Sequence, residues 1–469
     1  MMGTVPRPNI LFILADDWGW GDLACYGHAR IRTPHLDRLA AQGTLYTQFY
    51  VAAPVCSPSR ACFLTGRFPG EVGFHHICDS KLPWTSEPHG VPDFLDPALP
   101  TVARTLRSAG YRTAHIGKWH LGDADGAPDP GAYGFDRHHT TNSRTDDLRA
   151  EFYRDSEVGV PRPEDDVAFR RQSSRMIVDK AIEFLDEAGD EPFFLQTWLL
   201  DPHATLYPTD DGLETFRQFS PVGIDMPGAN AIYYAVIAEA DRQIGRLLAA
   251  LDERGLTDDT IVIFTSDNGP EDLWVRNASH SAAGSPGPFR GRKRSLYEGG
   301  TRVPFIVRWP GHTPAGEVDD DSLLGSVDLF ATCADLAGVP APATGGESMV
   351  PALTGTPLVS DRPLFWEWRF DNPSHPLHCS PMRVVRQGPW KLLANPDGSR
   401  TELYDIPSDP MELTNLADRE PAVVARLTTL ANEWASSLPA GPQSPTAGSN
   451  AYPWPRSTSA RPLTDQDQD

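Results

Sequence analysis

Residues 9–21 read NILFILADDWGWG. The unbroken apolar run Ile10–Ala15 ends on two adjacent carboxylates, Asp16 and Asp17. A short continuous run predicts a strand buried on both faces, as in a parallel sheet covered by helices. The arrangement recurs along the chain. Thr113–Ile116 leads to Lys118 and His120, Phe193–Leu199 to Asp201 and His203, and Ile261–Thr265 to Asp267 and Asn268. Phe305–Val307 is a fifth short run. Helical patterns lie between them, at Thr101–Ala109 with Gly110 as C-cap, Met176–Ala188 and Ala231–Arg254. Strands alternating with helices predict an α/β fold with a large, mostly parallel sheet sandwiched by helices. Ligands bind beyond the carboxyl ends of strands in such sheets, so four strands would bring charged or metal-binding side chains to one edge.

Farther along, residues 344–361 are rich in Pro, Gly and Thr and read as a linker. Arg383–Val385, Trp390–Ala394 and Glu402–Tyr404 then read as a small antiparallel sheet, followed by a helix over Glu420–Ser437. The expected organisation is a catalytic α/β domain over 1–345, a small C-terminal α+β subdomain over 362–438, and a poorly ordered Pro/Ser-rich tail over 439–469.

The net charge of −22 sets the chain apart from nucleic-acid binders. It also repels anions at long range, so an anion site must be built locally from Lys, Arg and His. None of the six cysteines forms a C-x-x-C pair, which points away from a zinc site or a disulfide framework. No apolar run is long enough to span a membrane, so no membrane partner is expected. The run Ile10–Ala15 is too short for a secretory signal and leads into acidic residues. A cytoplasmic protein is the expectation, or a periplasmic or secreted one if a leader has been removed.

Asp16, Asp17, Asp267 and Asn268 offer only oxygen, which suits Ca2+ or Mg2+ better than zinc. Either pair alone also fits an ordinary turn. Cys56, at the head of Cys56-Ser57-Pro58-Ser59-Arg60, has three readings. It could be a buried small hydrophobe, a thiolate activated near a helix start, or a residue converted to formylglycine. Cys-x-Pro-x-Arg followed by Leu64-Thr65-Gly66-Arg67 resembles the modification signature of the type I sulfatases. Other segments are similar to that family in its order: 9–21, GKWHLG at 117–122, Pro202-His203, SDNGP at 266–270 and GRKRSLYEGGTRVP at 291–304. Residues 388–415 resemble its C-terminal module, so the likeness runs over about residues 9–416.

The resemblance implies the alkaline phosphatase superfamily fold. It implies one calcium ion held by Asp16, Asp17, Asp267, Asn268 and the modified residue at 56. One hydroxyl of the hydrated aldehyde would attack the sulfur of a sulfate ester, and the other would then lose its proton as sulfate leaves. Lys118 and Lys293 would neutralise the sulfate oxygens, and Arg60 would hold the diol. His120 would help deprotonate the diol, and His203 would protonate the leaving oxygen. A formylglycine-generating or equivalent maturation enzyme is an implied partner. One departure is Ala204-Thr205-Leu206-Tyr207-Pro208, where the family often places proline two positions after the Pro-His pair.

Substrate choice should reside in the irregular stretches 71–90, 122–166 and 271–290, which carry His75, His76, Trp84, Arg144, Trp274, Arg276 and His280. The segment 290–311 most resembles enzymes of the N-acetylgalactosamine-6-sulfatase type, which favours a sulfated saccharide. The rivals are a phosphodiesterase or phosphonate monoester hydrolase of the same superfamily, and a non-catalytic saccharide-binding relative.

Overall fold

The computed structural model describes residues 7–78, 91–154, 166–221, 223, 225–272, 280–372 and 375–450. The large sheet comprises β1 (Asn9–Ala15), β2 (Thr44–Tyr50), β3 (Arg112–Lys118), β4 (Arg137–Thr141), β5 (Phe193–Trp198), β6 (Thr260–Ser266), β7 (Arg302–Arg308), β8 (Glu317–Asp319) and β9 (Leu324–Gly325). Their order is β4-β3-β5-β1-β6-β7-β2-β8, with β9 also beside β2. Strands β4, β3, β5, β1 and β6 run parallel, while β7 runs against both β6 and β2. The carboxyl ends of β1, β2, β3, β5 and β6 therefore share one edge with the amino end of β7.

The apolar run in β1 is explained by two cores. Leu11 and Ile13 face one of them, beneath the helices Ser173–Glu187 and Ala229–Glu253. Ile10, Phe12 and Leu14 face the other, with Phe63 and Leu64 of the helix Cys56–Thr65 and Phe330 of the helix Asp328–Leu336. Both faces are dry, so alternation in β1 is lost and every residue is buried.

Four strands of this sheet, β2, β4 and the short β8 and β9, were not legible as apolar runs. In β2 the register shifts between Tyr46 and Phe49, and half-buried Thr47 and Gln48 interrupt its apolar face. The edge strand β4 is the polar RHHTT. The stretch expected to be a linker is anchored, because Met349, Ala352 and Leu353 lie in the same core as Phe330. No helix among the described residues is long and apolar enough to cross a membrane.

The second sheet has four antiparallel strands, β10 (Leu364–Glu367), β11 (Arg383–Gln387), β12 (Trp390–Ala394) and β13 (Glu402–Asp405). Leu427 and Ala431 of the helix Pro421–Ser437 pack on Val385, Leu392 and Leu403. Of the expected tail, residues 439–450 lie on this sheet, held by Ser444 N to Arg369 O (2.8 Å) and Arg400 Nη1 to Gly448 O (2.8 Å). The remainder of the tail is outside the described residues.

Buried charges join the two sheets. Glu298, just before β7, accepts from Lys391 Nζ of β12 (2.8 Å) and Tyr50 OH of β2 (2.6 Å), and Arg302 lies at 3.2 Å. Lys391 also pairs with buried Glu412 (2.9 Å). Burial pushes the Glu298 carboxyl up, but Lys391, Arg302 and Arg386 outweigh it and hold it at about 2. A depressed folded value stabilises the protein above the ordinary carboxyl range, so this contribution is lost as pH falls from about 4.5 towards 2. Removing one partner strands the other charges, so Glu298→Ala should cost about 3–5 kcal/mol in denaturant unfolding at neutral pH. A cost below about 1 kcal/mol would show that the network carries no such weight.

Candidate active site

The shared sheet edge gathers the ten side chains that the sequence offered as catalytic or metal-binding. Strand β1 ends at Asp16 and Asp17, β3 at Lys118 with His120 following, and β6 at Asp267 and Asn268. His203 follows β5, and Lys293 lies in the loop entering β7. The unanticipated β2 matters most here, because its carboxyl end delivers the helix Cys56–Thr65. Cys56 opens that helix, and Pro58 is tolerated in the first turn, where no intrahelical N–H is required. Gly66 closes it in the left-handed conformation, its N–H reaching Cys62 O at 2.8 Å.

Cys56 Sγ lies 3.4 Å from Asp16 Oδ1 and 3.9 Å from Asp17 Oδ1. Lys118 Nζ donates to Asp16 Oδ2 (2.5 Å), and Lys293 Nζ to Asp17 Oδ1 and Oδ2 (2.6 and 2.7 Å). Arg60 donates to Asp267 Oδ2 through Nε and Nη2 (2.9 and 2.7 Å) and to Lys118 O through Nη1 (2.8 Å). Arg60 thus secures Asp267 and the end of β3, with its guanidinium 3.6 Å from Asp16. Backbone ties fix the carboxylate pairs to each other: Asp267 N to Ala15 O (3.1 Å), Asp17 N to Asp267 Oδ1 (3.2 Å) and Trp18 N to Ser266 Oγ (2.9 Å). The loop carrying Lys293 is pinned by Lys293 N to Pro270 O and Arg294 N to Pro54 O, both 2.9 Å. Asp17 and His120 adopt left-handed backbone conformations, with φ of 68° and 56°. Such strain costs about 1 kcal/mol or more at each residue and persists only where surrounding structure enforces it.

Burial and charge set the protonation states. Burial raises the Asp16 carboxyl, but Lys118, His203, Arg60 and Lys293 overcome it and hold it well below the usual range. Asp17 and Asp267 are raised, by burial first, with Asp16 adding repulsion at both. Burial also pushes the Cys56 thiol up, against the pull of Lys118 and Lys293. Desolvation, then Lys118 and Arg60, hold His120 well below the ordinary imidazole value. The His203 side chain is 31% exposed; desolvation, then Lys293 and Lys118, bring it down to about 4. Its Nδ1 faces Ala204 O at 2.8 Å and so carries a hydrogen, leaving Nε2, 3.8 Å from Asp17 Oδ2, to exchange protons.

The donor set fits a hard divalent cation. Donor atoms of Asp16, Asp17, Cys56 and His203 all lie within 4.8 Å of one another. Asn268 Nδ2 donates to Asp17 Oδ1 (2.7 Å) and Gly269 O (2.8 Å), which fixes the amide. Its Oδ1 is buried without a protein donor, a cost that cation coordination removes. Asp16, Asp17, Asp267 and Asn268 could thus hold the metal, with the side chain at 56 beside it.

Sequence reading missed Glu271. It is buried 3.5 Å from Lys293 Nζ and is also paired with Arg294, so it orients the lysine loop. An acid immediately after SDNGP, with Lys293 and Arg294 to be neutralised, was the available signal. Arg170 was missed as well. It donates to His203 O and, at 3.2 Å, to Thr205 O, holding the segment that departs from the family pattern. Of the substrate candidates, His75 and His76 are buried, Arg144 is exposed and His280 is half-buried. Trp84, Trp274 and Arg276 lie outside the described residues.

Comparison with known proteins agrees with this geometry. The model of the sulfatase family matches residues 8–339, and that of the N-sulphoglucosamine sulphohydrolase C-terminal region matches 289–434. The N-acetylgalactosamine-6-sulfatase of Canis lupus familiaris is 35% identical over 387 residues, covering 78% of this chain and 69% of that protein. The N-acetylgalactosamine-6-O-sulfatase of Bacteroides thetaiotaomicron is 30% identical over 515 residues, covering 90% and 92%. The crystal structure of Ps i-CgsB in complex with k-i-k-neocarrahexaose has a TM-score of 0.73 and 25% identity, covering 94% of this chain and 96% of that one. With its sheet order, its buried carboxylate edge and these matches, the chain belongs to the sulfatase family, sulfuric ester hydrolases of the alkaline phosphatase superfamily.

Proposed function

We propose that this sulfatase desulfates a saccharide, using Cys56 converted to formylglycine and one calcium ion. The observation that carries the reading is the setting of Cys56. Its side chain lies 3.4 Å from Asp16 Oδ1 and 3.9 Å from Asp17 Oδ1, in a carboxylate shell where an oxygen side chain would help coordinate a hard cation. When present, the formylglycine hydrate supplies two hydroxyls on one carbon, one to attack sulfur and one to drive sulfate out, and calcium supplies charge against the sulfate oxygens.

The chain's own residues do the remainder. Lys118 places its ammonium group on Asp16 and Lys293 on Asp17, where they also attract sulfate oxygens as negative charge builds. Arg60 fixes Asp267 against β3 and keeps the shell rigid. His120, neutral at ordinary pH, is able to accept a proton from the side chain at 56. His203 is neutral as it stands, with Nε2 free of hydrogen; once the negative charge of a bound sulfate ester favours the imidazolium, Nε2–H is the proton that serves the leaving alcohol. The saccharide assignment draws support from two relatives named N-acetylgalactosamine-6-sulfatases and from a neighbour holding a neocarrahexaose. Residues 1–345 are read as the catalytic domain, 362–438 as a subdomain bracing its loops, and a formylglycine-generating enzyme as the maturation partner.

Parallel assays of a sulfated saccharide and a phosphate diester, with mass spectrometry of the tryptic peptide 39–60, test the proposal. The expected result is an aldehyde at 56 and faster sulfate release. Preferred hydrolysis of the diester would favour the phosphodiesterase reading. Sugar binding without any turnover by fully modified protein would favour a binding protein.

His203→Ala should lower kcat about 10²–10⁴-fold on saccharide esters, whose alcohol needs a proton to depart. The loss should be at least about tenfold smaller on an aryl sulfate, whose phenolate leaves unaided. Equal losses on both substrates would remove His203 from the role of acid.

A further inference from the structure

Two surface hollows, of about 330 and 410 Å³, adjoin each other and share Arg30, Gln218 and Phe219. Arg32 lines the first and Asn230 the second. Arg30, Arg32, Gln218 and Asn230 are all exposed. Both walls of this groove leave the catalytic edge of the large sheet. Arg30 and Arg32 lie on the segment that follows Asp16 and Asp17, and Gln218 and Phe219 on the segment that starts at His203. The first wall is held in shape by its own side chains. His28 Nδ1 accepts from Arg30 N (3.1 Å) and Ile31 N (2.8 Å), and its ring meets Tyr234 edge-on at 5.5 Å. Ile31, between the two arginines, is anchored in the core. The second wall rests on the same tyrosine, with the Phe219 and Tyr234 centroids 5.3 Å apart. The Arg30 guanidinium joins the walls, 5.6 Å from the Phe219 centroid.

Charge and size select the ligand. The Phe219 ring is a neutral partner for Arg30. The acids nearest to these walls in sequence are engaged with other groups. Asp37 Oδ1 accepts from Cys25 N (3.0 Å) and Thr33 Oγ1 (3.1 Å), and Glu214 accepts from Arg217 Nη1 (3.3 Å). Val222 and Ile224, which lie outside the described residues, carry no charge. Two arginines are thus presented together on a chain of net charge −22, whose long-range field repels anions. A guanidinium takes a sulfate group through its fork of N–H donors, and the Gln218 and Asn230 amides suit sugar hydroxyls. Each hollow has the size of a small-molecule pocket, about 300–1,000 Å³, so the pair spans more than one sugar ring. We infer that this groove is an exosite for a sulfated saccharide chain, engaging sugars beyond the one being desulfated. The inference rests on the saccharide sulfatase reading and adds that longer, polyanionic substrates are preferred.

The test uses fully modified, calcium-loaded protein. The substrates are a chondroitin 6-sulfate decasaccharide, its disaccharide, and 4-nitrophenyl sulfate, which reports the catalytic centre alone. Dextran sulfate, a sulfated chain whose binding needs no turnover, reports the groove. Wild type should prefer the decasaccharide over the disaccharide about tenfold in kcat/KM at low ionic strength, and the preference should shrink as salt is added. Arg30→Ala and Arg32→Ala should each weaken dextran sulfate binding about fivefold. Each should lower kcat/KM on the decasaccharide by a similar factor, mainly through KM, and by less than about twofold on the two small esters. Dextran sulfate binding unchanged in both variants would overturn the exosite. So would equal losses on all three substrates, or equal turnover of the two saccharides by wild type. Weakened dextran sulfate binding in the variants, with 4-nitrophenyl sulfate hydrolysed and neither saccharide, would keep the groove as a site for sulfated chains and count against the saccharide reading instead. No turnover of any of the three would overturn the sulfatase proposal itself.

Discussion

Cys56→Ala protein folds but loses sulfate ester turnover by about 10⁵-fold or more, the scale seen when a nucleophile is removed from a complete catalytic constellation. The fold survives because Cys56 makes only long thiol contacts to Asp16 and Asp17, and its neighbours in the helix stay anchored by Arg60, Phe63 and Leu64. The stability cost should be about 1 kcal/mol, read from the denaturant midpoint. Cys56→Ser sharpens the test. Its single hydroxyl is able to attack sulfur, but it has no second hydroxyl on the same carbon to release the product. Turnover should therefore stop after about one equivalent, visible as a burst of leaving alcohol without continued sulfate release. Steady turnover by either variant within tenfold of wild type would eliminate position 56 as the reacting group.

The sequence carried the site better than it carried the sheet, for a physical reason. Ile10–Ala15, Phe193–Leu199 and Ile261–Thr265 are buried on both faces, so their apolar runs are continuous and their carboxyl ends are easy to place. The residues just beyond them were legible because a metal and sulfate edge demands carboxylates, lysines and histidines. The strand that brings Cys56 to that edge was not legible, since the β-bulge in β2 scrambles its period. Its end was inferable only from chemistry, as the place a nucleophile must occupy. Glu271 and Arg170 were hidden for a different reason. They act on the backbone or charge of other site residues, and their own motifs carry no chemical signature. Likewise, residues 439–450 look disordered by composition, yet Ser444 N donating to Arg369 O and the Arg400 guanidinium donating to Gly448 O hold them on the second sheet.

Removing the divalent ion should abolish turnover, and added Ca2+ should restore it. Three site carboxylates, Asp16, Asp17 and Asp267, face three cationic side chains, Lys118, Lys293 and Arg60. Protein charge alone leaves this centre near neutral in a chain of net charge −22, a poor trap for a sulfate ester. A divalent ion makes it locally positive and satisfies the stranded Asn268 Oδ1. Chelation should therefore raise KM as well as lower kcat, whereas loss of an ion remote from substrate would spare KM. Binding to the folded state alone must also stabilise it, by about 2.7 kcal/mol at a hundredfold excess over Kd, so the melting temperature should climb with Ca2+ concentration. Burial raises the carboxyls of Asp17 and Asp267, so protons compete with the ion and its affinity should weaken as pH falls. Asp16→Asn and Asp17→Asn should each abolish the Ca2+-dependent rise in melting temperature together with activity. A verified metal-free preparation that keeps full turnover, or a melting temperature indifferent to Ca2+, would reject the assignment of these carboxylates to a metal.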